Sequence, residues 1–269
     1  MPKIVIFDSG VGGLTIYQEI KRQLPTANYI FVSDNAAFPY GTKSEQDLIS
    51  RVTKVIDDVV QKYGPDLLVI ACNTASTIVL PLLRNKLSIP VVGVVPAIKP
   101  AAEKTKSKII GLLATPATIN RVYTEQLINE FAADCNVVRV GSSRLVEIAE
   151  QSLYGNNVEQ SVIAAELTPF FIHDDLDSLV LACTHFPLLN KEIMSVFGSK
   201  KHSIQLIDSA FGVTKRVVHL LSSVKDNEAN SHQQQLLSSV AVFTQKLTSH
   251  SIFAQKLSNI GLSKIETLM

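Results

Sequence analysis

One apolar phrase occurs twice in this chain. Leu67-Leu68-Val69-Ile70-Ala71-Cys72-Asn73-Thr74-Ala75 and Leu179-Val180-Leu181-Ala182-Cys183-Thr184-His185-Phe186-Pro187 both run from aliphatic residues into Ala-Cys and then a small hydrogen-bonding residue. The pattern predicts a short buried strand that stops at the cysteine and turns into a helix. Ligands of open α/β sheets bind outside that carboxyl edge, where helix N-termini leave backbone N–H groups unpaired. A device written twice therefore predicts two similar halves, each presenting one thiol to a shared cleft. A lone strand-end cysteine is usually a small buried hydrophobe. Here both are followed by hydroxyl or amide donors, and one by His185, which predicts polar surroundings.

The remaining sequence alternates strand and helix, which predicts parallel sheets with right-handed crossovers. Lys3 to Phe7 reads as a strand, followed by the glycine-rich turn Asp8-Ser9-Gly10-Val11-Gly12-Gly13. Its spacing matches neither dinucleotide nor P-loop patterns, so a carboxylate is the expected anion at that helix start. Asp8 reads either as a charge partner or as an N-cap. Asp34-Asn35-Ala36-Ala37-Phe38-Pro39-Tyr40-Gly41 follows the second strand, as a loop able to offer backbone N–H groups. Ser44 starts a helix that Gly64-Pro65 stops. Lys108 to Ala114 and Thr115-Pro116-Ala117-Thr118 restart the plan, with one helix expected over 117–131 and others near 143–152, 157–171 and 187–197. Glu147, flanked by apolar neighbours, reads either as a solvated helix position, the default, or as a carboxylate pointing inward. The polar stretch 222–235 reads as a linker, and the tail returns to strand, helix and strand. The expected organisation is one discontinuous domain, 1–97 plus 208–269, and a second one, 98–207.

Composition narrows the chemistry. Lys plus Arg number 25 against 24 Asp plus Glu, with no basic cluster, which argues against a nucleic-acid partner. No run reaches the apolar length of a membrane span and no signal peptide is read, so a cytoplasmic protein with a small-molecule partner is expected. Three cysteines without CxxC or Cys/His spacing predict free thiols and no metal site, and Cys135 reads as structural. With no cofactor lysine either, no cofactor is expected. Two thiols at one cleft suit proton transfer at a carbon acid from opposite faces, because thiol and thiolate are both accessible near neutrality. Acyl transfer by one cysteine with His185 would leave the other unexplained. A non-catalytic binder would leave both unexplained.

Six strings in order, FDSGVGGLT (7–15), DNAAFPYG (34–41), ACNTAS (71–76), VVGVVPAIKPA (91–101), LLATPAT (112–118) and LACTHFPLL (181–189), make the chain resemble the glutamate racemases of the aspartate/glutamate racemase superfamily. The resemblance implies an isomerase that interconverts L- and D-glutamate without a cofactor and supplies D-glutamate for peptidoglycan. It implies two Rossmann-like α/β domains related by a pseudo-twofold axis with the active site in the cleft between them, and a homodimer. By the same resemblance Cys72 acts on D-glutamate assisted by Asp8, and Cys183 acts on L-glutamate assisted by His185. Substrate contacts would come from Asp8, Ser9, Tyr40, Gly41, Asn73, Thr74, Thr184 and His185. Asp34 and Glu147 fall where the family keeps polar residues, and Thr118 is a further expected ligand. Ala117, Ala182 and Phe186 stand where the family often has Gly, Gly and Tyr, and the extra methyls of the two alanines tighten the pocket without removing a functional group. The sequence opens at its first strand, so the resemblance does not extend to the N-terminal extension of some relatives activated by a cell-wall precursor, and activation of this chain stays open. Related racemases of aspartate or hydantoins are the nearest alternative, and a cysteine acyl-transfer hydrolase is a more distant one.

Overall fold

A computed structural model describes residues 1–198, 203–225, 239–247 and 251–268. In chain order it begins with β1 (Lys3–Asp8), α1 (Leu14–Gln23), β2 (Asn28–Ser33), α2 (Glu45–Tyr63), β3 (Leu67–Ile70), α3 (Asn73–Lys86) and β4 (Val91–Gly93). Next come α4 (Ile98–Lys104), β5 (Ile109–Ala114), α5 (Pro116–Ile119), α6 (Val122–Phe131), β6 (Asn136–Gly141), α7 (Arg144–Leu153), α8 (Gln160–Leu167), β7 (Ser178–Ala182), α9 (Asn190–Phe197) and β8 (Gln205–Ile207). The last elements are α10 (Ala210–Lys225), β9 (Val240–Phe243), α11 (Ser251–Asn259) and β10 (Lys264–Thr267).

The chain divides into two compact units, Met1–Val94 with Ala210–Met269, and Val95–Ser209. The first holds a six-stranded sheet in the order β10-β9-β2-β1-β3-β4, and the second a four-stranded sheet in the order β6-β5-β7-β8. Every pairing is parallel. The architecture is thus α/β with two parallel sheets, as the alternation of strand and helix predicts. Both sheets share one winding. The second strand lies on one side of the first and the third on the other, so β3 and β7 hold equivalent places, and the chain reverses direction across the sheet beside each. That duplication is the structural form of the repeated sequence phrase.

Burial explains the strand composition. Residues Leu67–Ile70 of β3 and Ser178–Ala182 of β7 are buried throughout, as strands covered on both faces require. Each unit has its own core: one joins Val5, Phe7, Val32, Ile56, Leu68 and Ile70, the other Ile110, Leu112, Ile128 and Val180. Helix α2 starts at Ser44, whose side chain accepts the Asp47 N–H, and stops at Gly64 in the left-handed region (φ 53°), which only glycine occupies without strain.

Three helices depart from expectation. The helix expected over 117–131 is two, because the chain leaves the helix at Asn120 and restarts from an extended Arg121. The one expected over 157–171 is α8 continued by a 3-10 turn at Thr168–Ile172, and the one expected at 187–197 opens as a 3-10 turn, Phe186–Leu189, before α9. In the stretch read as a linker, 222–235, helix α10 continues through Lys225, and 226–235 lie outside the described residues, as does the 249–250 start of the last expected helix. Among the described residues, no helix is long and apolar enough to cross a membrane.

Candidate active site

The two thiols occupy equivalent places, Cys72 two residues beyond the close of β3 and Cys183 one residue beyond that of β7. In the first unit β1 ends in Asp8 beside the end of β3, so Asp8 and Cys72 border the point where the winding reverses. Asp8 is fully buried and accepts two backbone N–H groups, Ser9 N at 2.8 Å and Gly13 N at 2.7 Å. Two N–H groups of the glycine-rich turn are therefore held by this chain's own carboxylate. Gly13 is required by space: a Cβ would stand 2.9 Å from Asp8 Cβ and 3.1 Å from Ala71 Cβ. The Cys72 thiol donates to Ser9 Oγ at 3.6 Å, and Ser9 Oγ lies 3.5 Å from Asp8 Oδ1. Cys72 is thus connected to Asp8 through a hydroxyl.

Asn73 and Thr74 form the first turn of α3 and are buried. The Asn73 side-chain oxygen finds no hydrogen-bond partner among the described residues, a state that is costly unless a ligand supplies a donor. Tyr40 is buried, packs against Phe7 and donates its hydroxyl to Asp34 Oδ2 at 2.6 Å. Burial first, then the Asp34 charge, raises its pKa, with Cys72 adding to the effect, so the phenol stays protonated and lies near the thiol. Burial works against the Asp34 charge, but Arg51, Tyr40 and Thr244 outweigh it and hold its pKa below the ordinary carboxylate value.

In the second unit Cys183 Sγ lies 3.9 Å from His185 Nδ1, and His185 Nε2 lies 2.7 Å from Glu150 Oε2. All three residues are buried. Burial opposes charge on the imidazole, yet the cysteine and the carboxylate together hold its pKa well above the ordinary value. Nδ1 thus faces the sulfur and Nε2 the carboxylate. Thr184 is buried beside Cys183. Thr118 is also buried, with its hydroxyl and backbone N–H engaged by Thr115 Oγ1 in the cap of α5.

Glu147 takes the solvated position, the default of its two readings. It is a half-exposed surface residue paired with Arg144 at 3.3 Å, and Glu150, one turn further along α7, takes the inward place. The helix face could have shown this, because Glu150 follows Val146 by four residues and shares its buried side, whereas Glu147 follows the exposed Arg144 by three. Sequence reasoning also missed Arg51 and Thr244, the partners of Asp34. Of the expected residues, the fold gathers Asp8, Ser9, Cys72, Asn73, Thr74, Asp34 and Tyr40 with Gly41 in the first unit, and Cys183, Thr184 and His185 in the second. Among the described residues, no group of three or more His, Cys, Asp or Glu could hold a metal ion.

Chemically, each half offers a thiol joined through a hydrogen-bonding intermediary to a buried carboxylate, an arrangement suited to giving and taking protons. The sequence profile of the Asp/Glu/Hydantoin racemases matches residues 4–211. The glutamate racemase of Vibrio cholerae is 52% identical over 220 residues, covering 82% of this chain and 81% of that protein. The structure of Escherichia coli glutamate racemase with L-glutamate and the activator UDP-MurNAc-ala has a TM-score of 0.91 at 41% identity, covering 99% of this chain and 98% of that one. Francisella tularensis glutamate racemase, solved with D-glutamate, has a TM-score of 0.80 at 25% identity, covering 100% and 97%.

Proposed function

This chain belongs to the aspartate, glutamate and hydantoin racemase family, and from that premise we propose that it interconverts L- and D-glutamate with two thiols, one removing the Cα proton and the other delivering its own proton to the opposite face. The observation that carries the reading is the equivalent placement of Cys72 and Cys183 after β3 and β7, each with its own connection to a buried carboxylate. Cys72, as thiolate, removes the Cα proton of D-glutamate. The electron pair of the broken C–H bond moves into the adjacent carboxylate, and Cys183, as thiol, delivers a proton to the opposite face. The reverse direction exchanges the roles. Asp8 acts on Cys72 through Ser9, and His185, oriented by Glu150, serves Cys183. Backbone N–H groups at Tyr40-Gly41, Asn73-Thr74 and Thr184 hold the substrate carboxylates, and the unpartnered Asn73 oxygen accepts the substrate ammonium. The product supplies D-glutamate for peptidoglycan in the cytoplasm, and the enzyme works as a homodimer, a state that sedimentation equilibrium measures.

Racemisation in deuterium oxide tests the mechanism. Early product should carry deuterium at Cα while remaining substrate stays protiated. A serine hydroxyl is a far weaker acid than a thiol, so Cys72→Ser and Cys183→Ser should each slow racemisation by about three orders of magnitude or more, at about 1.4 kcal/mol of barrier per pKa unit. Near-normal racemisation by the Cys183→Ser protein would refute two-thiol transfer. Faster turnover of aspartate or a hydantoin than of glutamate would refute the substrate assignment.

A further inference from the structure

The loop after β2 is fastened to the residues after β9 by a compact set of hydrogen bonds. Thr244 N donates to Ser33 O at 3.1 Å, continuing the strand ladder one rung past β9. Its hydroxyl accepts from Ala36 N at 3.1 Å and donates to Asp34 Oδ1 at 2.7 Å. Asn35 reads the next residue as a strand would, with Nδ2 donating to Gln245 O at 2.9 Å and Oδ1 accepting from Gln245 N at 2.8 Å. From α2, Arg51 lays its fork on the same carboxylate, Nη2 on Oδ1 at 2.6 Å and Nε on Oδ2 at 2.9 Å. The Tyr40 hydroxyl donates to Oδ2 at 2.6 Å.

Two acceptor sites on each Asp34 oxygen are thereby filled, which is the full capacity of a carboxylate. Asp34 has no lone pair left to take a proton from a substrate or a thiol, so its part in the site is to hold other groups. What it holds is Tyr40, and with it the Tyr40-Gly41 segment.

We propose that Thr244 and Arg51 are positioning residues for racemisation: acting through Asp34, they fix the 34–41 loop so that its backbone N–H groups meet the substrate carboxylate. The inference rests on the glutamate reading above and adds two residues, one from α2 and one from the C-terminal segment, to the machinery of the Cys72 unit. Binding is where the effect belongs, because Thr244 and Arg51 bond to the Asp34 carboxylate and the loop that carries the substrate-facing N–H groups.

Thr244→Val keeps the side chain's shape and removes the hydroxyl, whereas Thr244→Ser keeps the hydroxyl. The KM for both L- and D-glutamate should rise about tenfold in the valine variant, the scale of one lost charge-assisted hydrogen bond, with kcat changing less than about threefold. Amide exchange across 34–41 should quicken in the same protein, and the serine variant should match wild type in both respects. Arg51→Lys keeps the charge but cannot fork onto both oxygens, and it decides by the same measures should the valine variant not fold. A KM within about twofold of wild type, which is under ~0.5 kcal/mol, overturns the proposal. So does a serine variant as impaired as the valine one, or a raised KM without faster exchange in the loop. Wild-type protein inactive on both enantiomers overturns the glutamate reading and this inference with it, an outcome distinct from an active wild type with unaffected variants.

Discussion

Glu150 shows how one carboxylate sets the state of another residue. It is buried and bonded to His185 Nε2 at 2.7 Å, and with Cys183 it keeps the imidazole's pKa well above the ordinary value. Removing that charge with Glu150→Gln should lower the His185 pKa, so the imidazolium beside Cys183 is lost at lower pH. The alkaline limb of kcat/KM should move toward acid, with an activity loss at neutral pH of about a hundredfold, the low end of general acid-base contributions. An unshifted limb would separate Glu150 from the titration of His185. Cys72, Cys183, Asp8 and His185 were legible in the sequence because each stands at a strand end, a place that sequence marks. Glu150 was passed over, since it shares an apolar stretch with Glu147 and only its place around the helix, on the side of Val146, marks it as the inward one. Arg51 and Thr244 were illegible for another reason: they meet Asp34 across 17 and 210 positions, and no local pattern encodes such a meeting.

At the scale of elements, strand and helix alternation was legible because fully buried parallel strands are continuous apolar runs. The break between α5 and α6 was not. Ile119-Asn120-Arg121 carries no Gly or Pro, and the restart depends on tertiary bonds such as Thr124 Oγ1 donating to Thr118 O at 2.6 Å. The edge strand β10 illustrates a different control. Glu266 receives Lys264 at 2.7 Å, Tyr63 Oη at 2.8 Å and Lys62 at 3.2 Å, and these neighbours, Lys264 foremost, lower its pKa to about 2. A carboxylate whose folded pKa is depressed stabilises the fold above its unfolded pKa, and that contribution is lost as pH falls through the folded one. The cluster should therefore stabilise the protein fully above about pH 4.5 and not at all below about pH 2. Melting temperatures of wild type and Glu266→Gln should differ by a constant amount at neutral pH and converge across that window. Curves that stay parallel down to pH 2 would show that the cluster does not act through this carboxylate.

At the scale of the whole molecule, the repeat in sequence has become two units wound alike, each with a separate apolar core. The core around Leu112, Ile110 and Val180 shares no residue with the core around Val5, Phe7 and Ile70. Leu112 is fully buried in the middle of the four-stranded sheet, on β5 between β6 and β7. Truncating it to alanine removes apolar area and leaves a cavity, at a cost of about 2–5 kcal/mol. Because packing energy is carried by touching side chains, that cost should fall on the unit that contains the cavity. Amide exchange of Leu112→Ala should accelerate across the strands of residues 95–209, while β1, β2 and β3 keep wild-type protection. Val5→Ala should give the converse pattern, and racemisation should weaken in both proteins, since each unit supplies one of the two thiols. Equal acceleration in both units from either substitution would mean that the two cores unfold as one, and the expected division of the chain at 98–207 would then describe winding rather than folding.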